Sequence, residues 1–288
     1  AVTNVGGGIV GLPCASHGLP VGAEIVVAGT TNYDGTYTVK RGTTADVIHV
    51  TKTYTAETLD GTETAAAYFH DHTFKVGDSM PSLIIERQFP DLPAYLLCGG
   101  CKVGSLSLDL GGDGELTASL DVTGATEVKS GTAYDASPAV VAMKRLGNFQ
   151  LEIQEGGSSL PGRSRSVSLK VDFGLDADMY TIGDQGTRGD IPEGIMSVSG
   201  DLQALFKDTT LLDKAMNSTA SSLVLTLSSG AHQLEFALNE LKYSRSSPTI
   251  DGPKGVMEKL SYQAYYASHS DGSCVVARLR NEIKTYGE

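Results

Sequence analysis

Lys102-Val103-Gly104-Ser105-Leu106-Ser107-Leu108-Asp109-Leu110 and Glu115-Leu116-Thr117-Ala118-Ser119-Leu120-Asp121-Val122, joined by Gly111-Gly112-Asp113-Gly114, are the residues on which the fold turns. Leu106, Leu108 and Leu110 recur at every second position, as do Leu116, Ala118, Leu120 and Val122, with Ser, Thr and Asp between them. An extended chain points alternate side chains to opposite faces, so this pattern predicts paired strands of a sheet buried on its apolar side only. Just upstream, Phe74 to Phe89, with the run Ser82-Leu83-Ile84-Ile85-Glu86-Arg87, is expected to form a hairpin, and Pro90-Asp91-Leu92-Pro93-Ala94-Tyr95 a connector.

Downstream, the small residues from Thr126 to Pro138 mark a linker, and Leu146-Gly147-Asn148-Phe149-Gln150-Leu151-Glu152-Ile153 opens a second β region. Ser166 to Phe173 alternates cleanly, and Met196, Val198 and Leu202 line one face of a returning strand. Between them runs a long polar excursion, Gly174 to Gly194, holding Asp176, Asp178, Tyr180, Asp184, Arg188 and Asp190. Loops of this length inside compact domains are usually functional or disordered. One helix is expected, Thr209 to Met216, with Asp208 capping its first turn and Leu211, Leu212, Ala215 and Met216 as its apolar stripe. Leu223, Leu225 and Leu227 should then pair across Ser228-Ser229-Gly230 with Leu234, Phe236 and Leu238, and Leu260 to Tyr265 supplies the closing strand.

The front of the chain has its own pattern. Glu24-Ile25-Val26-Val27-Ala28, Gly35-Thr36-Tyr37-Thr38-Val39 and Val47-Ile48-His49-Val50-Thr51 are short β-branched runs separated by Gly, Asn and Asp, and Asp34-Gly35 is a pair favoured in tight turns. Residues 1–62 therefore read as a small all-β module, 67–127 as a first β domain, 128–145 as a linker and 146–288 as a second β domain. The order of elements in the first domain matches the second half of the second, which suggests an incomplete internal duplication.

Motifs that carry chemistry do not hold up. Cys98-Gly99-Gly100-Cys101 has redox or half-zinc spacing, yet a strand rather than a helix follows it, and no second ligand pair accompanies it. His70-Asp71-His72 reads as a surface turn or an interface. Gly6-Gly7-Gly8-Ile9-Val10-Gly11 satisfies a dinucleotide fingerprint in letters only, without the strand and helix it needs, and is expected to be a flexible leader. Asp109 to Glu115 lacks the spacing of a twelve-residue calcium loop. No Gly-x-Ser-x-Gly elbow occurs and nothing positions a triad, so neither a catalytic residue nor a cofactor nor a metal is expected.

A formal charge of −12 disfavours a protein that grips phosphates, because such binding is built from Lys and Arg. No apolar run approaches the ~18 residues that suggest a membrane span, and the first residues have no basic or apolar stretch of the secretory kind. Four cysteines in 288 residues do not form a disulfide framework, which points to synthesis in a reducing compartment.

Ser82-Leu83-Ile84-Ile85-Glu86-Arg87-Gln88-Phe89-Pro90-Asp91, followed by Cys101-Lys102-Val103-Gly104-Ser105-Leu106-Ser107-Leu108 and later by Gly200-Asp201-Leu202 to Leu212, resembles the major tail tube proteins of long-tailed, siphovirus-type bacteriophages across about residues 67–288. The front module is similar to small β-barrel modules inserted in virion proteins. The resemblance implies a mainly β fold, with β-sandwich or barrel domains of two packed sheets flanked by a helix, duplicated here. It implies self-assembly into stacked rings, three copies forming a pseudo-sixfold ring, synthesis and assembly in the host cytoplasm, a place in the virion, and an acidic wall that keeps a passing duplex mobile. Implied partners are the tape measure protein and the tail terminator and tip proteins, with double-stranded DNA passing without specific binding and no membrane. On this reading the Gly174–Gly194 excursion, through Asp176, Asp178, Tyr180, Asp184, Arg188 and Asp190, reaches the adjacent ring, and Asp109, Glu115 and Asp121 face the lumen. The alternative is a β-rich adhesion or baseplate module recognising a glycan through exposed aromatics such as Tyr33, Tyr37 and Tyr54; an enzyme using Cys98 and Cys101 is a third.

Overall fold

The computed structural model describes residues 1–89, 91–111, 116–138, 145–160, 164–180, 182, 186–248, 255–266 and 270–286. Two hydrophobic cores organise them. The first belongs to the front of the chain, where β1 (Thr3–Gly6), β2 (Ile9–Pro13) and β5 (Val47–Thr51) form one sheet and β4 (Gly35–Thr38), β3 (Glu24–Ala28) and β6 (Thr64–Ala67) another. Val10, Ile25, Tyr33, Ile48 and Val50 are wholly buried between them. The glycine run is no leader: Gly6, Gly7 and Gly8 take positive φ at the turn of the β1–β2 hairpin, a conformation that glycine reaches without steric cost. β6 pairs with β3, so the module's strands extend to Ala67, past the expected boundary at residue 62.

The larger body is antiparallel throughout. Its strands are β7 (His70–Lys75), β8 (Leu83–Phe89), β9 (Ala94–Gly111), β10 (Thr117–Thr123), β11 (Thr126–Ser130), β12 (Leu151–Glu155), β13 (Ser158–Ser159), β14 (Ser164–Asp172), β15 (Ser197–Leu205), β16 (Ser221–Ser229), β17 (His232–Tyr243), β18 (Met257–Ala264) and β19 (Val276–Asn281), with helix α1 at Thr210–Asn217. The sheet runs β10-β9-β14-β15-β18-β17-β16-β12-β13, while the first half of β17 also takes β19, which carries β7. β17 thus belongs to two layers. Leu108, Leu169, Leu202 and Leu260 from one layer pack in a single core with Leu223, Leu225, Leu238 and Leu241 from the other, and Leu211 and Ala215 of α1 join it. Among the described residues this is a mainly β, two-layer sandwich with one flanking α-helix.

Several expectations are met in register. Leu223, Leu225 and Leu227 oppose Leu238, Phe236 and Leu234, and Thr117 to Leu120 oppose Asp109 to Leu106. The Asp208 carboxylate accepts the Thr210 N–H at 3.0 Å, and α1 ends at Ser218 in the left-handed region. Others are corrected. Phe74–Phe89 is not a hairpin, since β7 pairs with β19 some 200 residues away and β8 pairs with β9. The expected connector ends early because β9 begins at Ala94 and runs for 18 residues. Gly100 makes that length workable: its φ of 61° forms a bulge, and a Cβ there would sit 2.9 Å from Ala125 Cβ. β19 was not foreseen, although Val276-Ala277-Arg278-Leu279-Arg280 alternates.

The two stretches expected to be separate β domains share one sheet and one core. β9 and β14 are paired from Ser105–Asp172 to Gly111–Ser166.

Candidate assembly surface

The non-core side of the sheet is polar because the alternation demands it. Opposite Leu108, Leu169, Leu202 and Leu260, the strands turn out Ser107 and Asp109 from β9, Ser168 and Lys170 from β14, Ser199, Asp201 and Gln203 from β15, and Lys259, Ser261 and Gln263 from β18. Lys170 lies 3.2 Å from Asp172 and Lys259 lies 3.3 Å from Asp201, whose other oxygen accepts the Ser261 hydroxyl at 2.6 Å. The Asp172 carboxyl is held below the usual carboxylate range by the Gly174 N–H and then by Lys170. Asp109 and Asp121 are both exposed on this same face, Asp121 accepting the Ser105 hydroxyl at 2.8 Å. Glu115 lies outside the described residues. Among the described residues, the paired part of this face carries Asp109, Asp121, Asp172 and Asp201 together with Lys170, Lys259, Lys242 opposite Gln263 and Lys102 opposite Thr123.

Gly200 lets the Tyr262 ring of β18 lie across β15 beneath this face. Tyr262 reaches across to donate to the Ser168 carbonyl at 2.7 Å, and a Cβ on Gly200 would meet that carbonyl at 2.0 Å and the phenol oxygen at 2.6 Å. Burial pushes the Tyr262 phenol well up, with the Asp201 charge adding to it.

The Gly174–Gly194 excursion is tied to its own chain at both ends. Arg188 donates from Nη1 to the Gly124 carbonyl at 2.8 Å and from Nε to the Ala177 carbonyl, and its guanidinium lies 5.0 Å from the Tyr180 ring. Its backbone N–H donates to Ala125. Arg188 therefore anchors the excursion to the β10–β11 junction. At the far end Lys102 Nζ donates to the Ile191 carbonyl and to Glu193, both at 2.9 Å, and lies 3.9 Å from Asp190. Asp176, Asp178, Tyr180 and Asp190 are exposed, and beside them Met179, Ile182 and Ile195 expose apolar side chains that the sequence reading passed over. Asp184 lies outside the described residues.

His70-Asp71-His72 is strand β7, at the junction of module and body. His70 Nε2 is 3.4 Å from Glu24, His72 Nε2 is 2.7 Å from the Ile283 carbonyl, and Lys284 reaches Glu24 at 2.8 Å. Cys98 and Cys101 are free thiols on β9; burial pushes the Cys101 thiol up, the opposite of what activates a redox cysteine. Tyr33, offered as a glycan-stacking aromatic, is wholly buried and exchanges hydrogen bonds with the Thr55 carbonyl at 2.6 Å and N–H at 2.8 Å.

The body thus presents a sheet polar on one side and apolar on the other, with strand edges at its margins and a long anchored excursion. No curated protein matches the chain. A model of the family described as phage tail tube protein matches residues 2–264, front module and body together. The chain belongs to the phage tail tube protein family and is a structural component of the phage tail.

Proposed function

We propose that this chain is the subunit of a siphovirus-type tail tube wall: copies close head to tail into rings, rings stack, and the polar sheet face lines the conduit for DNA and the tape measure protein. The observation that carries this reading is the β9–β14 seam. Within one chain it joins the β8–β11 strands edge to edge to β14, β15 and β18, and it leaves β10 and β11 paired on one side only among the described residues. An open edge is a template for another strand, and a heterologous contact that closes by rotation makes a ring without loose edges.

If the seam inside the chain repeats the seam between chains, each copy contributes two strand sets and three copies make a pseudo-sixfold ring. On the lumen side Asp109 and Asp121 place exposed carboxylates in the wall, away from the lysines of β14 and β18, and carboxylates repel a phosphate backbone. Exposed Asp176, Asp178, Tyr180 and Asp190 are the excursion's contribution to the next ring, while terminator and tip proteins would cap the stack.

Negative-stain electron microscopy of concentrated protein, with mass photometry of the dilute sample, tests this. Stacked rings with a central hole are expected, together with a dilute species of three chains. A species of six would replace the three-copy ring, and a sample that stays monomeric at every concentration would overturn the tube reading.

A further inference from the structure

Cys98-Gly99-Gly100-Cys101 has no part in the tube reading, yet the fold gives it a definite geometry. Leu83 and Ile85 of β8 are two residues apart, while the β9 residues that oppose them, Cys101 and Cys98, are three apart. The additional residue is taken up by the bulge at Gly100, whose φ is 61°. Directly opposed residues share a face, so the bulge turns both thiols to the same side. A regular strand would have sent them to opposite sides.

Glycines leave the two side chains room to meet. A Cβ on Gly124 would lie 3.3 Å from Cys101 Sγ and 3.8 Å from Cys98 Cβ, so the sulfur of one and the root of the other converge on a spot that Gly124 keeps open. Cys101 Sγ donates to the Cys98 carbonyl at 3.4 Å. A disulfide sets its two Cβ atoms about 3.5–4.5 Å apart, and Gly99-Gly100 is the link most free to settle to that spacing. The thiols are unequal. Cys101 is 2% exposed and its thiol is pushed up by burial, whereas Cys98 is half-buried and within reach of solvent.

We propose that Cys98 and Cys101 form a dithiol site for a low-molecular-weight disulfide of the glutathione type, which oxidises them to an internal bond across the Gly99-Gly100 bulge. The Cys98 thiolate attacks one sulfur of the small disulfide, and a mixed disulfide forms as the first small thiolate leaves. The Cys101 thiolate then attacks the Cys98 sulfur and expels the second. Two S–H bonds are lost and one S–S bond is gained, while the small disulfide is reduced to two thiols that take up the two protons. The bulge lies between the part of β9 paired with β8 and β11 and the part paired with β10 and β14, so the bond fixes the bend between them. Such a clamp closes once and needs no activated thiol, unlike a redox enzyme that must turn over. The inference stands independently of the tube reading.

The test equilibrates reduced, folded chain with mixtures of reduced and oxidised glutathione, quenches by alkylation and maps the peptides without reductant. The peptide holding Cys98 and Cys101 is expected to be unalkylated and lighter by two hydrogens, with Cys14 and Cys274 alkylated. Cys101→Ser should hold glutathione on Cys98 as a mixed disulfide, and Cys98→Ser should take up none at Cys101. Amide exchange at Gly99 and Gly100 should slow in the oxidised wild-type chain. The proposal is overturned by a lasting glutathione adduct on wild-type Cys98, by four alkylated thiols at every ratio, or by an internal bond that forms only in urea. A bond that leaves exchange at both glycines unchanged overturns the clamp.

Discussion

Glu155 shows how a single residue can be committed by its neighbours. It is 4% exposed at the end of β12, where Lys214 of α1 meets both carboxylate oxygens at 2.8 and 2.7 Å and Ser221 donates at 2.6 Å. Tyr243 adds a longer contact at 3.4 Å; burial, and then the Glu155 charge, pushes its phenol well up. Lys214→Met would strand a buried carboxylate, and the expected cost is about 3–5 kcal/mol, read as a lower midpoint in urea unfolding. Adding Glu155→Gln should recover part of that loss. Neither role was legible in the sequence, where Glu155 follows a strand and Lys214 sits in a helix like many others. The same holds for Gly200, whose requirement comes from Ser168, 32 positions away, and from Tyr262.

At the scale of elements, the excursion depends on a few polar anchors at its ends. Glu193 accepts from Lys102 and from the Met80 N–H at 3.2 Å, and these bonds, Lys102 first, hold its carboxyl below the ordinary value of 4.5. A folded-state value below the unfolded one gives a contribution that is complete above pH 4.5 and is lost as pH falls through the folded value. The Met80 amide resonance should therefore titrate with a midpoint below 4.5, and Glu193→Gln should abolish that titration; a midpoint at or above 4.5 would contradict the anchor. Hairpins and the helix were readable because their signals are local: Asp208 before α1, Ser228-Ser229-Gly230 between β16 and β17. The partner of β7 was not, because β19 lies some 200 residues downstream and no local rule selects it.

At the scale of the molecule, the two cores share no residue among those described. Tyr33 is central to the smaller one, and Tyr33→Ala should destabilise the module by about 3–5 kcal/mol, the range for deleting a large buried aromatic. Calorimetry should show a module transition moving down while the body's stays in place; a single transition shifting as a whole would mean that the His70, Glu24 and Lys284 contacts make module and body one cooperative unit. The ring proposal also rests on features at this scale, the β9–β14 seam and, among the described residues, the one-sided pairing of β8, β10 and β11.

The sequence by itself determined the class of structure: strand periodicity, turn residues and the single capped helix are encoded within a few positions of one another, and so was the polar face that bears Asp109 and Asp121. Resemblance in Ser82–Asp91 and Cys101–Leu108 was enough to point to the tail tube family. Only the tertiary structure decided which strands are neighbours, that β9 joins two regions read as separate domains, and that Arg188 holds its own chain. The physical reason is range: backbone and side-chain periodicity act over one or two turns of chain, whereas edges, seams and uncovered apolar faces exist only once distant strands have chosen their partners.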